Sequence, residues 1–109
     1  MKTFSVLTIF PAMLEGFLAS GIVHQALLAE KIAGYAVNLR DYTRDRHKTT
    51  DDRPYGGGCG MVMKPEPLQA ALEAEKARLP AAKVIMLTPQ GRVFDQQLAQ
   101  ELADAPHDY

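Results

Sequence analysis

Apolar and polar positions change period several times along this 109-residue chain, and each change marks an element. Residues 3–9 concentrate β-branched and aromatic side chains and read as a strand. Phe10-Pro11 closes it, because proline has no N–H to give a ladder. Met13, Leu14, Phe17 and Leu18 then recur at helical spacing, and Gly21 supplies a stop. Val23, Ala26 and Leu27 predict a second short helix running to about Ile32, and residues 34–40 alternate like a strand. Residues 41–63 have no period. Residues 65–79 predict a helix: Pro65 and Pro67 suit its first turn, and Leu68, Ala71, Leu72 and Leu79 form an apolar stripe. Val84-Ile85-Met86-Leu87 is a continuous apolar run, the pattern of a parallel strand covered on both faces. Asp95 is placed to cap a last helix whose Leu98, Ala99 and Leu102 face inward.

The order β-α-α-β-loop-α-β-α predicts an α/β fold, a mainly parallel sheet with flanking helices and right-handed crossovers. Three strands are few for a class whose sheets have about five or six. The chain ends at Ala105-Pro106-His107-Asp108-Tyr109, where another strand is expected to begin, so we expect residues 1–109 to be the N-terminal portion of a larger domain.

Composition narrows the function classes. A net charge of −1 rules out a global basic field, so any RNA binding must come from a local patch. One cysteine, Cys59, excludes an internal disulfide framework. The N-terminal apolar run is too short for a signal peptide or a membrane span, so the expected location is cytoplasmic, with no membrane and no DNA partner.

Two segments carry candidate chemistry. The first is the aperiodic stretch 41–63. Loops longer than about 12–15 residues are uncommon in compact domains and are usually functional or disordered. Gly56, Gly57, Gly58 and Gly60 let a backbone approach a ligand closely. Arg40, just before this stretch, and Arg44, Arg46, His47, Lys48 and Arg53 supply local positive charge suited to phosphates, and Tyr42 and Tyr55 could stack on a base. Asp51 and Asp52 could accept hydrogen bonds from a guanine edge or orient the arginines. The plain alternative is a solvated loop whose Arg and Asp residues neutralise one another. No Gly-Lys-Ser/Thr follows the glycines, so this is no P-loop, and His47 and Cys59 alone make no zinc site.

The second segment, Thr88-Pro89-Gln90-Gly91-Arg92, follows the apolar run. In open α/β sheets ligands bind beyond the carboxyl ends of strands. Pro89 fixes one φ and Gly91 permits a tight turn, so the loop could present its backbone to a flat cofactor; it could equally be an ordinary strand-to-helix turn.

Together these segments resemble one family. Asp45-Arg46-His47-Lys48-Thr49-Thr50-Asp51-Asp52-Arg53-Pro54-Tyr55-Gly56-Gly57-Gly58 is similar to the long loop of the bacterial tRNA (guanine-N1)-methyltransferases, enzymes of the trefoil-knot SPOUT type. Lys83 through Arg92 is similar to a second motif of that family, and Ile9-Phe10-Pro11 with Met13 also fits. The resemblance implies methyl transfer from S-adenosylmethionine to N1 of the guanosine 3′ of the tRNA anticodon, in a homodimer, with magnesium assisting. It implies that Leu87, Thr88, Pro89, Gln90 and Gly91 belong to the first cofactor loop. It places Arg46, His47, Asp51, Arg53, Tyr55, Gly56, Gly57, Gly58, Gly60 and Met61 near cofactor, guanine and dimer partner. Cys59 stands where the family usually has proline, so the loop loses a φ restraint and gains a donor. By the resemblance, the remaining knot segments, a second cofactor loop, the proton-removing aspartate and a helical RNA-binding domain all lie beyond position 109, so no catalytic residue is assigned within this chain. Rival readings are a non-catalytic RNA- or protein-binding module built on loop 41–63, and an interaction fragment that pairs with a full-length partner.

Overall fold

The computed structural model describes residues 1–52 and 62–109. Strand β1 (Lys2–Thr8) pairs in parallel with β2 (Ile32–Asn38), in register from Lys2 opposite Ile32 to Thr8 opposite Asn38. Between them run α1 (Pro11–Leu18) and α2 (Gly21–Leu28). A 3-10 turn over Leu39–Tyr42 leaves β2, its first free N–H, that of Arg40, bonded by the Asn38 side chain. A short antiparallel pair follows, β3 (Asp51–Asp52) with β4 (Val62–Met63). Helix α3 (Pro65–Arg78) and helix α4 (Gln96–Asp104) complete the described elements.

The expected helices and first two strands form, with shifted ends. The second helix stops at Leu28 rather than near Ile32. Gly21 opens α2 instead of closing α1; its φ of +63° is a left-handed value that a side chain would disfavour. The helical spacing in α1 is real, but only Leu14 and Leu18 are half-buried, while Met13 and Phe17 are 73% and 59% exposed. An eight-residue helix on a two-stranded sheet covers one narrow stripe, so the other two positions face out.

The core lies where the 3-10 turn and α3 meet the carboxyl end of the parallel pair: Val37, Leu39 and Ala71 are buried, with Leu7, Ile9, Tyr35, Tyr42 and Leu68 packed around them. Of the α3 stripe predicted from Leu68, Ala71, Leu72 and Leu79, Leu68 and Ala71 meet this core, Leu72 is half-buried, and Leu79 caps the helix end. One polar residue shares that face. Glu75 is 6% exposed, and its carboxylate accepts hydrogen bonds from Ser5 Oγ of β1 at 2.7 Å and Tyr35 OH of β2 at 2.5 Å. Arg78 pairs with it at 3.3 Å and lies 4.8 Å over the Tyr35 ring. One side chain thus joins α3 to both strands.

The expected buried strand 84–87 is not formed. Val84, Ile85, Met86 and Leu87 are 62%, 48%, 79% and 93% exposed, and none lies in a strand. The reason is visible next to it. Tyr109 N–H donates to Thr3 O at 3.0 Å and Tyr109 O accepts from Ser5 N–H at 2.7 Å, the parallel pattern, so Tyr109 sits on the free edge of β1. Lys83 N–H donates to Asp108 O at 2.9 Å, on the side of the terminal segment away from β1. Residues 84–87 continue along a lane in which the described residues place no neighbour, and an apolar run without a ladder partner or a covering helix stays exposed.

The C-terminal residues are held firmly all the same. Lys2 Nζ donates to Ala105 O and His107 O, both at 2.6 Å, and lies 5.1 Å from the Tyr109 ring centroid. A lysine on the last carbonyls of a helix suits the negative end of its dipole. Tyr109 stacks on Phe4 at 5.9 Å, and its hydroxyl donates to Leu102 O at 2.9 Å.

Candidate cofactor loop and basic loop

The loop after residues 84–87 is a turn built by Thr88. Its carbonyl accepts Gly91 N–H at 3.4 Å and its Oγ1 accepts Gln90 N–H at 3.2 Å. Gly91 favours closeness rather than an unusual φ: a Cβ there would stand 3.3 Å from Thr88 Cγ2, a tight contact. The turn exposes Leu87, Thr88, Pro89, Gln90 and Gly91 to solvent. Downstream, Arg92 reaches Glu101 of α4 through two parallel bonds, Nη1–Oε2 at 3.0 Å and Nη2–Oε1 at 3.2 Å. The guanidinium holds the Glu101 carboxyl below its ordinary range. Asp95 caps α4 as expected, accepting Leu98 N–H at 2.8 Å, and Leu98, Ala99 and Leu102 are the half-buried face of that helix.

The basic loop leaves the carboxyl end of β2. Its described part is a turn organised by Asp45, which accepts Lys48 N–H through its carbonyl at 3.2 Å and Thr49 N–H and Oγ1 through its carboxylate. Those bonds from Thr49 hold the Asp45 carboxyl below its ordinary value. Lys48 takes a positive φ of 51° to close the turn, and Arg40 Nη1 donates to its carbonyl at 3.1 Å. Arg46 and His47 occupy the exposed tip. Asp51 is half-buried in β3, opposite Met63. Lys64 N–H donates to Thr50 O at 2.7 Å, which brings the far end of the loop back onto the start of α3. A cleft of about 520 Å³ opens between this turn and α3, with Tyr42, Arg44, Asp45, Lys64, Glu66 and Glu73 among its lining residues. Arg53, Tyr55, Gly56, Gly57, Gly58, Cys59, Gly60 and Met61 lie outside the described residues.

Among the described residues no hydrogen bond or ion pair joins the two segments. The basic loop follows β2 at its carboxyl end, while the 87–91 turn follows a segment that forms no strand. Two residues that organise these regions escaped the sequence reading. Glu75 had a signal, since it falls four residues after Ala71 on the apolar stripe of α3. Glu101 had none: it lies nine residues from Arg92, and only the turn of the chain at Asp95 brings them together.

A parallel strand pair flanked by helices defines an α/β unit. The chain belongs to the tRNA (guanine-1)-methyltransferase family: a family model described as tRNA (Guanine-1)-methyltransferase TrmD matches residues 1–107. It is 53% identical over 100 residues to a tRNA (guanine-N(1)-)-methyltransferase of Geobacter sulfurreducens, covering 92% of this chain and 41% of that protein. It is 50% identical over 104 residues to the protein of the same name from Chloroflexus aggregans, covering 94% of this chain and 41% of the relative. The crystal structure of tRNA (m1G37) methyltransferase from Aquifex aeolicus superposes with a TM-score of 0.86 at 34% identity, over 98% of this chain and 48% of that one. The chain thus spans about two fifths of the length of the curated relatives it matches.

Proposed function

We propose that these residues form the N-terminal portion of the catalytic domain of a tRNA (guanine-N1)-methyltransferase, which methylates N1 of the guanosine 3′ of the anticodon. The observation that carries the reading is the family match across residues 1–107, which contains both loops. The partners this reading needs are tRNA and a second copy of the chain, in the cytoplasm. Among the described residues no helix is long and apolar enough to cross a membrane.

Two features support S-adenosylmethionine as the ligand of this turn: Thr88–Gly91 is exposed, and Gly91 allows a close approach that a Cβ, 3.3 Å from Thr88 Cγ2, would crowd. Leu87, Thr88, Pro89, Gln90 and Gly91 would hold the cofactor, and its sulfonium would supply the methyl group. Among the described residues no three His, Cys, Asp or Glu side chains gather into a metal site, so any magnesium would be held mainly by waters and tRNA phosphates.

N1 of guanine carries a proton that a base must remove as the methyl group arrives. In this reading the base lies beyond Tyr109, and the basic loop positions the guanosine: Arg46, His47 and Arg53 on phosphates, Tyr55 on a base, Asp51 toward the guanine edge. The 109 residues alone should therefore not methylate tRNA. Fused to the part of the Geobacter sulfurreducens relative that follows its matched region, they should transfer label from S-adenosylmethionine to a tRNA with guanosine at that position. A folded fusion without transfer would overturn the proposal. Retention of tRNA by the 109 residues, with no cofactor binding by the fusion, would instead support the non-catalytic binding module.

In that fusion Asp51→Ala should lower single-turnover methylation. A misplacement of about 1 Å costs roughly 100-fold. The shape of the pH–rate profile should stay the same, because a positioning group does not titrate in the chemical step. Loss of the acidic limb in Asp51→Ala would make Asp51 the base.

A further inference from the structure

We propose that Glu101 is a positioning residue for the 87–91 loop, acting through Arg92: the two-point clasp between them fixes the loop in the shape that receives its ligand. The proposal rests on the reading of 87–91 as the cofactor loop.

The loop has little else to hold it. Its upstream arm, residues 84–87, makes no strand, and Leu87 is 93% exposed. The two bonds inside the turn, at 3.2 and 3.4 Å, are local to Thr88 and do not tie it to the body of the protein. Val93 and Phe94 on its downstream side are 79% and 70% exposed, so no apolar contact buries that arm either. Among the described residues the Arg92–Glu101 fork is the side-chain tie between the loop and helix α4.

The other end of that tie is anchored by hydrogen bonds. Asp95 caps the start of α4 through Leu98 N–H, and its end is bonded to β1 by Lys2 and to Tyr109 through Leu102 O. A continuous strut therefore runs from β1 through α4 and the fork to the residue next to Gly91. The guanidinium fork matches a carboxylate at two points and so fixes direction as well as distance. The side chains are 56% and 49% exposed, and a solvated pair of this kind adds little to global stability. Its effect is to order one small loop. A ligand that binds only the ordered loop sees its affinity divided by the fraction of molecules in that shape.

The test uses the 109-residue chain, with backbone amide relaxation and S-adenosylmethionine titration read in the same samples. In the parent chain the amides of Gln90, Gly91 and Arg92 should show order parameters near about 0.85, against less than about 0.6 in Glu101→Gln, with α4 amides unchanged. Arg92→Lys, which keeps the charge but not the fork and leaves α4 untouched, should loosen the same amides. The exchanged pair Arg92→Glu with Glu101→Arg should restore them. Where the ordered fraction drops to about one tenth, the dissociation constant for S-adenosylmethionine rises about 10-fold, and the exchanged pair should reverse that rise. Unchanged order in Glu101→Gln and Arg92→Lys, or no rescue by the exchange, would overturn the clasp. If order responds as expected but S-adenosylmethionine shifts no amide of 87–91 in the parent chain or in its fusion to the rest of the Geobacter sulfurreducens relative, the cofactor reading fails, and with it the ligand assigned to the loop.

Discussion

Replacing Glu75 by alanine should destabilise the chain by about 2–4 kcal/mol, because it leaves the hydroxyls of Ser5 and Tyr35 without their acceptor; each orphaned partly buried polar group costs about 1–3 kcal/mol. In a chain of this size that corresponds to a fall in Tm of roughly 10–20 °C. Glu75→Gln keeps an acceptor oxygen and should cost less than half as much. Arg78→Ala should cost less still, since that side chain is 63% exposed. The pH dependence carries the same information. Burial by itself would raise the Glu75 pKa, but the bonds from Ser5 and Tyr35, followed by Arg78, outweigh it and leave the group below its ordinary 4.5. A depressed acid contributes stability that is complete above the unfolded value and disappears as pH falls through the folded one. For Tyr35, burial first and then the bond to Glu75 raise the pKa above 10.0. That contribution is complete below pH 10.0 and is lost as pH rises through the higher folded value. Urea midpoints across pH should therefore show an acid and an alkaline decline, both shallower in Glu75→Ala. Equal midpoints for Glu75→Ala and the parent would refute the role of this carboxylate in joining α3 to the sheet.

The second large effect concerns the lane beside residues 84–87. Tyr109 has already made the first parallel rungs on β1, and Lys83 is bonded across to Asp108. A strand continuing from Tyr109 would run between β1 and 84–87 and cover the apolar run. Full burial of a large aliphatic side chain is worth about 1.5–3 kcal/mol, so even partial burial of Val84, Ile85, Met86 and Leu87 amounts to several kcal/mol. A chain extended by the ten residues that follow the matched region in the Geobacter sulfurreducens relative should melt higher, with a larger urea m-value and slow amide exchange at 84–87. The 109-residue chain should instead self-associate as its concentration rises, through its exposed strand edge and apolar run. Light scattering across a dilution series reads this directly. A monomer at every concentration, together with an extension that changes neither melt nor exchange, would show that the lane does not take a strand.

Much of this protein was legible in its residues because the relevant physics is local. The Pro11 stop after β1, the stripe Leu68-Ala71-Leu72 on α3, the Asp95 cap of α4 and the Thr88–Gly91 turn each depend on neighbours within a few positions, and each forms as expected. The long basic loop was legible as a segment too, from its missing period and its glycines, although its central residues lie outside the described structure. What depends on distant partners was not legible. An apolar run of strand length reads the same whether or not a neighbour is present, so the sequence pointed to a buried strand at 84–87, and only the tertiary arrangement left it open. Glu75 falls on the apolar stripe of α3, but its partners, hydroxyls from two strands 70 and 40 positions away, come only from packing. Glu101 is an ordinary helix residue until the turn at Asp95 folds it back onto Arg92. Hydrogen bonds and ion pairs between segments have no period and no fixed spacing, so their partners are chosen by the packing of whole elements rather than by the residues that flank them.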